Sequence, residues 1–231
     1  VDEALWDIKG KRANMPVYQL FGGKCREAVP VYTHASGNSP EEVEEQVRKY
    51  MAQGFRYIRV QMNIQGLSTY GSQSGKIIPA LNPTQTRTWE PTPYVIAVPK
   101  LIEHLRLALG DEVELLHDVH ERIPAIQGVW LAKELEQYRL FFLEDLFPPD
   151  QIDYFRMVRQ QTATPIAMGE LFVSRNDYVP LVRERLIDFI RVHISDIGGL
   201  SEARKLLAFG EFMGVRSAFH GPGDVSPVGH A

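Results

Sequence analysis

Apolar positions along the chain fall into short runs and longer amphipathic segments that alternate from residue 29 onwards. The runs are rich in β-branched and aromatic residues, as in buried strands, whereas the segments repeat apolar residues at helical spacing. This alternation predicts βα units around a parallel sheet, and therefore an α/β fold. Seven strands are predicted, at residues 29–35, 57–61, 114–120, 141–147, 165–170, 189–195 and 215–221.

Acidic residues at three successive strand ends favour a (β/α)8 barrel of the TIM type. Asp118, Glu144 and Glu170 are spaced by 26 residues, so that one βα unit separates each pair. Carboxylates at the carboxyl ends of successive parallel strands would face one mouth, where such barrels carry their chemistry. A Rossmann-type sheet is the alternative, but no Gly-x-Gly-x-x-Gly sequence follows any predicted strand.

Both ends of the sequence and one internal segment depart from this pattern. The chain starts inside a helical pattern without Met and stops just after the seventh strand, so we expect part of a longer protein, with strands 1–7 of the barrel. The predicted division is between residues 1–28, which lead into the barrel, and residues 29–231, which form it. A long polar loop at 62–93 suggests a lid, an oligomer contact or a flexible insertion.

Charge and cysteine content argue against several classes of function. The 25 Lys and Arg residues against 29 Asp and Glu give a net charge of -4, which offers no basic surface to nucleic acid or to an anionic membrane. Cys25 is the only cysteine, which excludes an intrachain disulfide and a Cys-rich zinc site and favours a cytoplasmic location. The sequence contains neither a signal peptide nor an apolar stretch of about 18 residues.

The third predicted strand carries the most specific local chemistry. Side chains alternate along a strand, so Asp118 and His120 are predicted to face the same way and His117 the other way. Asp118 would then bind a cation, with His120 beside it as a proton carrier. A zinc pair made of His117 and His120 is disfavoured by the same alternation.

Two further strands supply carboxylates. Glu144 and Asp145 would face opposite ways on a strand, so only one of them can join Asp118, and the spacing favours Glu144. Gly169 allows a close approach just before Glu170. Three carboxylates suit Mg2+, which prefers oxygen ligands. An acid at a single strand end more often pairs with a Lys or Arg on the next strand or caps the following helix, and it is the regular spacing of all three that favours the metal site.

The last two strands add cationic groups. Arg191 would clamp a substrate carboxylate or neutralise the acidic residues. His220 and Asp224 lie close together at the end of the seventh strand. His193 shares a strand face with Arg191 and is interpreted as structural.

Together these motifs resemble those of the mannonate dehydratase subgroup of the enolase superfamily. Asp118-x-His120, Glu144, Glu170 and the pair His220 and Asp224 are similar to the motif set of that subgroup. The opening segment, residues 4–23, is similar to the region in which such enzymes leave an N-terminal capping domain and begin the barrel. The resemblance covers essentially the whole chain and implies a barrel whose capping domain is largely absent from this sequence.

The resemblance also implies a role for each matching residue. Arg59 and Tyr70 match a pair in which the tyrosine removes a proton, and His120 matches the acid/base histidine. The residues that match the family's Mg2+ ligands are Asp118, Glu144 and Glu170. The residues that match the family's substrate contacts are His34, Glu170, Arg191, His220 and Asp224.

The activity that the resemblance implies is Mg2+-dependent dehydration of a sugar acid by a lyase, with D-mannonate converted to 2-keto-3-deoxy-D-gluconate. One alternative is dehydration of another aldonate such as D-gluconate, and another is a non-catalytic family member that binds a sugar acid. A zinc hydrolase on a barrel fits less well, because the inferred ligands are carboxylates rather than histidines. We also expect a homo-oligomer.

Overall fold

The computed structural model describes residues 1–64 and 91–221 in two units. The central unit is Val31–Ile166, and the terminal unit is Val1–Pro30 together with Ala167–Ala231. Tyr70, Asp224 and most of the loop at 62–93 lie outside the described residues. Among the helices that are described, none has both the length and the apolar character needed to cross a membrane.

Helices and parallel strands alternate along the described chain, as expected for an α/β fold. The helices are α1 (Asp2–Ala13), α2 (Val17–Leu20), α3 (Pro40–Ala52), α4 (Thr92–Leu109), α5 (Ala125–Leu135), α6 (Ile152–Gln161), α7 (Arg175–Arg183) and α8 (Leu200–Met213). A single 3-10 turn, Glu136–Tyr138, follows α5. The strands are β1 (Tyr32–Gly37), β2 (Tyr57–Met62), β3 (Glu114–Asp118), β4 (Phe142–Glu144), β5 (Ile166–Met168), β6 (Phe189–Ile190) and β7 (Arg216–Ser217).

The sheet of the central unit brings the ends of β1 to β4 side by side. The four strands pair in chain order, each parallel to the next. His34 lies opposite Arg59 in the β1–β2 register, and Asp118 lies opposite Glu144 in the β3–β4 register. Polar residues far apart in sequence are thereby placed together at the carboxyl ends of the strands.

Helix α3 shows how local sequence sets the packing around this sheet. The Ser39 hydroxyl caps the helix by accepting a hydrogen bond from the Glu42 backbone N–H at 3.3 Å. Pro40 occupies the first turn, where its missing N–H costs no hydrogen bond. Val43 and Val47 lie one turn apart and are fully buried, so this face of α3 packs on β1 and β2.

The terminal unit is built from β5, β6 and β7, which also pair in parallel and in chain order. The N-terminal helix α1 is fixed to α8 of this unit by two hydrogen bonds to one residue. Asp2 Oδ2 accepts from the Ser201 backbone N–H, and Trp6 Nε1 donates to Ser201 Oγ, both at 2.9 Å. The opening residues therefore pack with α8, the last helix among the described residues.

The seven strands occur in the predicted order, but several of the predicted ends are wrong. β3 ends at Asp118 and β4 ends at Glu144, so neither reaches the predicted residues 120 and 147. The backbone turns left-handed at His120, with φ of 55°, and at Asp145, with φ of 42°. Since a left-handed residue cannot continue an extended strand, both runs leave the sheet two or three residues early. β1 runs from Tyr32 to Gly37 instead of 29–35, β2 extends one residue further to Met62, and β4 begins one residue later at Phe142. β5, β6 and β7 are shorter than predicted.

Candidate active site

A charged cluster lies at the carboxyl ends of the strands in the central unit. We call it the central cluster, and its members are His34, Arg59, Asp118, His120, Glu144 and Asp145. Arg59 Nη1 donates to Asp118 Oδ2 at 3.0 Å and to Glu144 Oε2 at 3.2 Å, and Arg59 Nη2 lies 3.2 Å from His34 Nδ1. The arginine is held on β2, between the carboxylates and the exposed histidine on β1.

Burial makes the charge balance of the central cluster significant. The side chains of Asp118 and Glu144 are both fully buried, and that of Arg59 is almost so. Burying a charge is costly unless an opposite charge lies beside it. Arg59 contacts both carboxylates, and the donors that these acids offer are hard oxygen atoms. This donor chemistry fits Mg2+.

His120 lies beside the carboxylate of Asp118, but not for the predicted reason. Its Nδ1 is 3.4 Å from Asp118 Oδ2, and its side chain is 22% exposed. The prediction assumed alternation along a strand, whereas β3 has ended and His120 has a left-handed backbone. A half-buried imidazole next to a buried carboxylate can exchange protons with a bound molecule, because part of its ring faces outward.

Asp145 corrects the prediction that only one acid of the pair at 144–145 can join Asp118. One carboxylate oxygen each of Asp118 and Asp145 and one ring nitrogen of His120 lie within 4.8 Å of one another, which is close enough to hold a metal ion. The strand alternation behind the prediction ends at Glu144, and the left-handed backbone at Asp145 redirects its side chain. No local sequence signal indicated this turn.

His117 is buried in a hydrogen-bonding network behind the central cluster. Its Nδ1 lies 2.8 Å from Val60 O and its Nε2 lies 2.7 Å from Tyr94 Oη. Burial lowers the pKa of His117 to about 4 and also raises the pKa of Tyr94, so both side chains are neutral near pH 7. Because a carbonyl can only accept, Nδ1 carries the proton and Nε2 accepts from the tyrosine hydroxyl. His117 is therefore turned away from any zinc pair with His120.

A second cluster, the terminal cluster, lies in the other unit and consists of Glu170, Arg191 and His220. Arg191 Nη1 donates to Glu170 Oε2 at 3.0 Å, and His220 Nε2 lies 3.6 Å from the same oxygen. The Arg191 side chain is completely buried, whereas Glu170 and His220 each keep 14% of their side-chain surface exposed. Arg191 thus contacts one partly exposed carboxylate, whereas Arg59 contacts two buried ones.

Glycine permits the close approach that assembles the terminal cluster. Gly169 has φ of 141°, which L-residues rarely adopt, and a Cβ there would lie 2.9 Å from the backbone carbon of Arg191. The Arg191 backbone N–H donates to Met168 O at 2.7 Å. His193 lies next to the cluster, with its ring centroid 5.6 Å from that of His220 and its Nδ1 2.7 Å from Ser195 Oγ.

The structure thus assembles two groups of the residues singled out from the sequence. His34, Arg59, Asp118, His120 and Glu144 come together in one unit, and Glu170, Arg191 and His220 come together in the other. Tyr70 and Asp224 lie outside the described residues. Sequence reasoning missed Asp145 and also the buried polar residues behind Asp118, which are Gln61, Tyr94 and Val60 through its carbonyl group.

Two protein families match the sequence of this chain. The family described as "Enolase C-terminal domain-like" matches residues 42–231, and the family described as "Mandelate racemase / muconate lactonizing enzyme, N-terminal domain" matches residues 1–22. The chain belongs to the enolase superfamily. The expected family and α/β barrel class are therefore confirmed.

Curated members of the enolase superfamily are similar over nearly the whole of this chain. A D-galactonate dehydratase family member from Salmonella enteritidis is 49% identical over 99% of the chain. A D-mannonate dehydratase from Caulobacter is 47% identical over 99% of the chain. In both cases the chain spans 58% of the relative's length.

A solved structure of this superfamily also resembles the chain closely. It is an enolase from Pantoea ananatis with bound D-gluconate and Mg, 45% identical, with a TM-score of 0.87. The match covers 99% of this chain and 58% of that one. At this identity and TM-score the two chains share one fold.

Proposed function

We propose that the protein containing this chain is a Mg2+-dependent sugar acid dehydratase. The observation that carries this proposal is the central cluster, in which two buried carboxylates, Asp118 and Glu144, converge on Arg59 and lie beside a half-buried histidine. The donor set suits a hard cation, and the histidine suits proton transfer. The names of the similar dehydratases support the same class of reaction.

Asp118, Glu144 and Glu170 are the proposed Mg2+ ligands. When bound, Mg2+ supplies positive charge beside the substrate carboxylate, which makes the neighbouring C–H group more acidic. Support comes from the oxygen donors of these side chains and from the resemblance of their sequence motifs. Asp145 offers a further carboxylate near Asp118 and His120.

The proposed reaction moves one proton and removes one hydroxyl group. Tyr70 takes the proton from carbon 2 of the sugar acid, with the charge of Arg59 favouring the tyrosinate. His120 gives a proton to the departing hydroxyl group on carbon 3, which leaves as water. The resulting enol becomes a 2-keto-3-deoxy acid.

The terminal cluster is proposed to contact the substrate. Arg191 is charged at all working pH values and has a planar set of donors that suits a carboxylate. Its partner Glu170 and the nearby His220 both keep part of their side chains exposed, so a bound molecule can reach them. His34 and Asp224 are the other proposed substrate contacts.

The finer proposals concern the substrate and the setting of the enzyme. D-mannonate is the first candidate, supported by the similar D-mannonate dehydratase, and D-gluconate is the second, supported by the ligand of the similar enolase. Residues 1–28 are proposed to belong to a capping domain, and residues 29–231 to the barrel. The homo-oligomer and the cytoplasmic location stay predictions.

The test is a keto-acid assay on the complete protein with Mg2+ and a panel of stereoisomeric aldonates. His120→Asn should abolish dehydration while Mg2+ binding, measured by calorimetry, persists. His104→Asn is the matched control, because His104 on α4 pairs with Glu44 on α3 and lies outside both clusters. Full turnover by His120→Asn would contradict the assignment, and tight sugar acid binding without any keto acid would indicate a binding protein instead.

A further inference from the structure

Strands β2 and β3 change the way they are joined as they approach the central cluster. Their parallel register runs from Tyr57 opposite Glu114 to Arg59 opposite Leu116. Beyond that point, side chains from each strand bond to the backbone of the other. His117 Nδ1 donates to Val60 O, and Gln61 Nε2 donates to Asp118 O, both at 2.8 Å. Side-chain hydrogen bonds thus extend the ladder up to Asp118.

Both bridging side chains are deeply buried, so their geometry is closely constrained. Gln61 is 3% exposed and His117 is 1% exposed. Tyr94 on α4 fixes the ring of His117 from behind, with its hydroxyl group 2.7 Å from Nε2. A buried amide or imidazole that lost its partner would be left desolvated without a hydrogen bond, which disfavours other rotamers.

Asp118 is the residue at which this network ends. Its carbonyl oxygen is held by Gln61 and its carboxylate by Arg59, and both of these side chains come from β2. The peptide of Asp118 is therefore fixed on one side while its carboxylate faces the central cluster. A metal ligand must keep its oxygen within a few tenths of an ångström, and residues behind the ligands commonly set that position.

We propose that Gln61, with His117 and Tyr94 behind it, positions Asp118 for Mg2+ binding. The inference rests on the proposed function, because it takes Asp118 to be a Mg2+ ligand. None of the three side chains needs to touch the metal or the substrate. Their effect is to keep the end of β3 at a fixed distance from β2, where standard backbone pairing has ended.

Mg2+ affinity of the complete protein, measured by calorimetry without substrate, tests the proposal. Gln61→Met keeps the size and burial of the side chain but removes the donor to Asp118 O. We expect its Mg2+ Kd to rise about tenfold or more, as for other residues that support metal ligands. Tyr94→Phe removes the hydroxyl group that lies 2.7 Å from His117 Nε2 and 3.4 Å from Asp118 O, and a smaller rise in Kd is expected.

A buried hydrogen bond elsewhere in the central unit provides the matched control. The Thr164 hydroxyl group is buried and donates to Ala132 O of α5 at 2.7 Å. Thr164→Val should lower the unfolding temperature in EDTA without changing the Mg2+ Kd. If Gln61→Met and Tyr94→Phe behave in the same way, with lowered stability and unchanged Kd, their role is structural and the inference is wrong.

Asp118→Asn separates this inference from the proposed function. Loss of Mg2+ binding in Asp118→Asn, together with weakened binding in Gln61→Met, supports both proposals. Loss of binding in Asp118→Asn with wild-type Kd in Gln61→Met overturns only the inference. Wild-type Mg2+ binding by Asp118→Asn, or no binding by the wild type, overturns the proposed ligand and the inference with it.

Discussion

The central and terminal clusters each place a buried arginine against carboxylate, yet the number and the exposure of these carboxylates differ. Arg59 lies between two fully buried carboxylates, those of Asp118 and Glu144. Arg191 is equally buried but pairs with one carboxylate, Glu170, which is partly exposed and has a histidine beside it. The first arrangement offers two buried carboxylates to the proposed cation, whereas the second is the proposed contact for a sugar acid carboxylate.

The comparison teaches that the same ion pair has different consequences in different surroundings. In the central cluster, removal of the arginine would leave two like charges close together in a buried site. In the terminal cluster, it would leave one carboxylate that still reaches solvent. Stability and ligand binding should therefore respond differently to equivalent substitutions in the two regions.

The largest effect is expected for Arg59→Met. This change removes the positive charge between Asp118 and Glu144, and breaking a buried charge arrangement typically costs about 3–5 kcal/mol. Urea unfolding of the complete protein at neutral pH measures the loss, and Mg2+ should restore part of it by supplying a cation to the same oxygens. Arg191→Met should cost less, about 1–3 kcal/mol. Equal losses in the two variants would contradict the comparison.

Gly169→Ala should disturb the terminal cluster alone. The added Cβ would meet the backbone of Arg191, and φ of 141° disfavours any L-residue. We expect a loss of about 1–3 kcal/mol in the free energy of unfolding. Gly54→Ala is the control, since Gly54 also has a positive φ but its Cβ would meet nothing within 4 Å. A larger loss for Gly54→Ala would show that backbone conformation, not the approach to Arg191, decides the effect.

Arg191→Lys should separate anion binding from cation binding. Lysine keeps the charge but loses the planar set of donors, so sugar acid affinity should fall about tenfold, or about 1.4 kcal/mol. The Mg2+ Kd in the absence of substrate should change little. Calorimetric titrations with Mg2+ and then with D-gluconate measure the two separately. A loss of Mg2+ affinity without a loss of sugar acid affinity would contradict the proposed role of Arg191 in binding the sugar acid.

The smallest effect is expected at an exposed ion pair of the terminal unit. Hydrogen bonds from Arg175, followed by Tyr178, lower the pKa of Glu202 to about 2, against 4.5 for the free side chain. A lowered folded-state pKa means that the stabilisation is present above pH 4.5 and is lost as pH falls towards 2. Since the Arg175 side chain is 65% exposed, the contribution should stay below about 1 kcal/mol.

Glu202→Gln should remove that part of the acid dependence of unfolding. Added salt should weaken the Glu202 contribution in the wild type, because exposed charges are screened. The buried pair of Arg191 and Glu170 should be much less sensitive to salt. Acid unfolding curves at low and high ionic strength, recorded for the wild type and Glu202→Gln, check the difference. Identical curves for both proteins would rule out a contribution from Glu202.

Much of the architecture could be predicted because it depends on local pattern. Strand and helix periods differ, so the alternation of apolar residues indicated the order of the seven strands. The spacing of Asp118, Glu144 and Glu170 placed each of them correctly at or just beyond a strand end. Glu144 and Asp118 do share one cluster, as the spacing suggested.

The errors arose where the backbone stops being extended. The argument from alternation held as far as Asp118 and Glu144, then failed at His120 and Asp145, whose left-handed conformations redirect their side chains. His120 still reached Asp118, while Asp145 joined a group from which alternation had excluded it. Short-range periodicity carries no information about such turns.

The sequence by itself determined the order of the elements, the carboxylates at the strand ends and the resemblance to the enolase superfamily. The tertiary structure decided which side chains meet. Arg59 contacts Asp118 and Glu144, which lie 59 and 85 positions further along the chain. Gln61 reaches the carbonyl group of Asp118, which is 57 positions away. Such contacts depend on how parallel strands pair and where they end, because only the folded backbone brings these distant atoms within hydrogen-bonding distance.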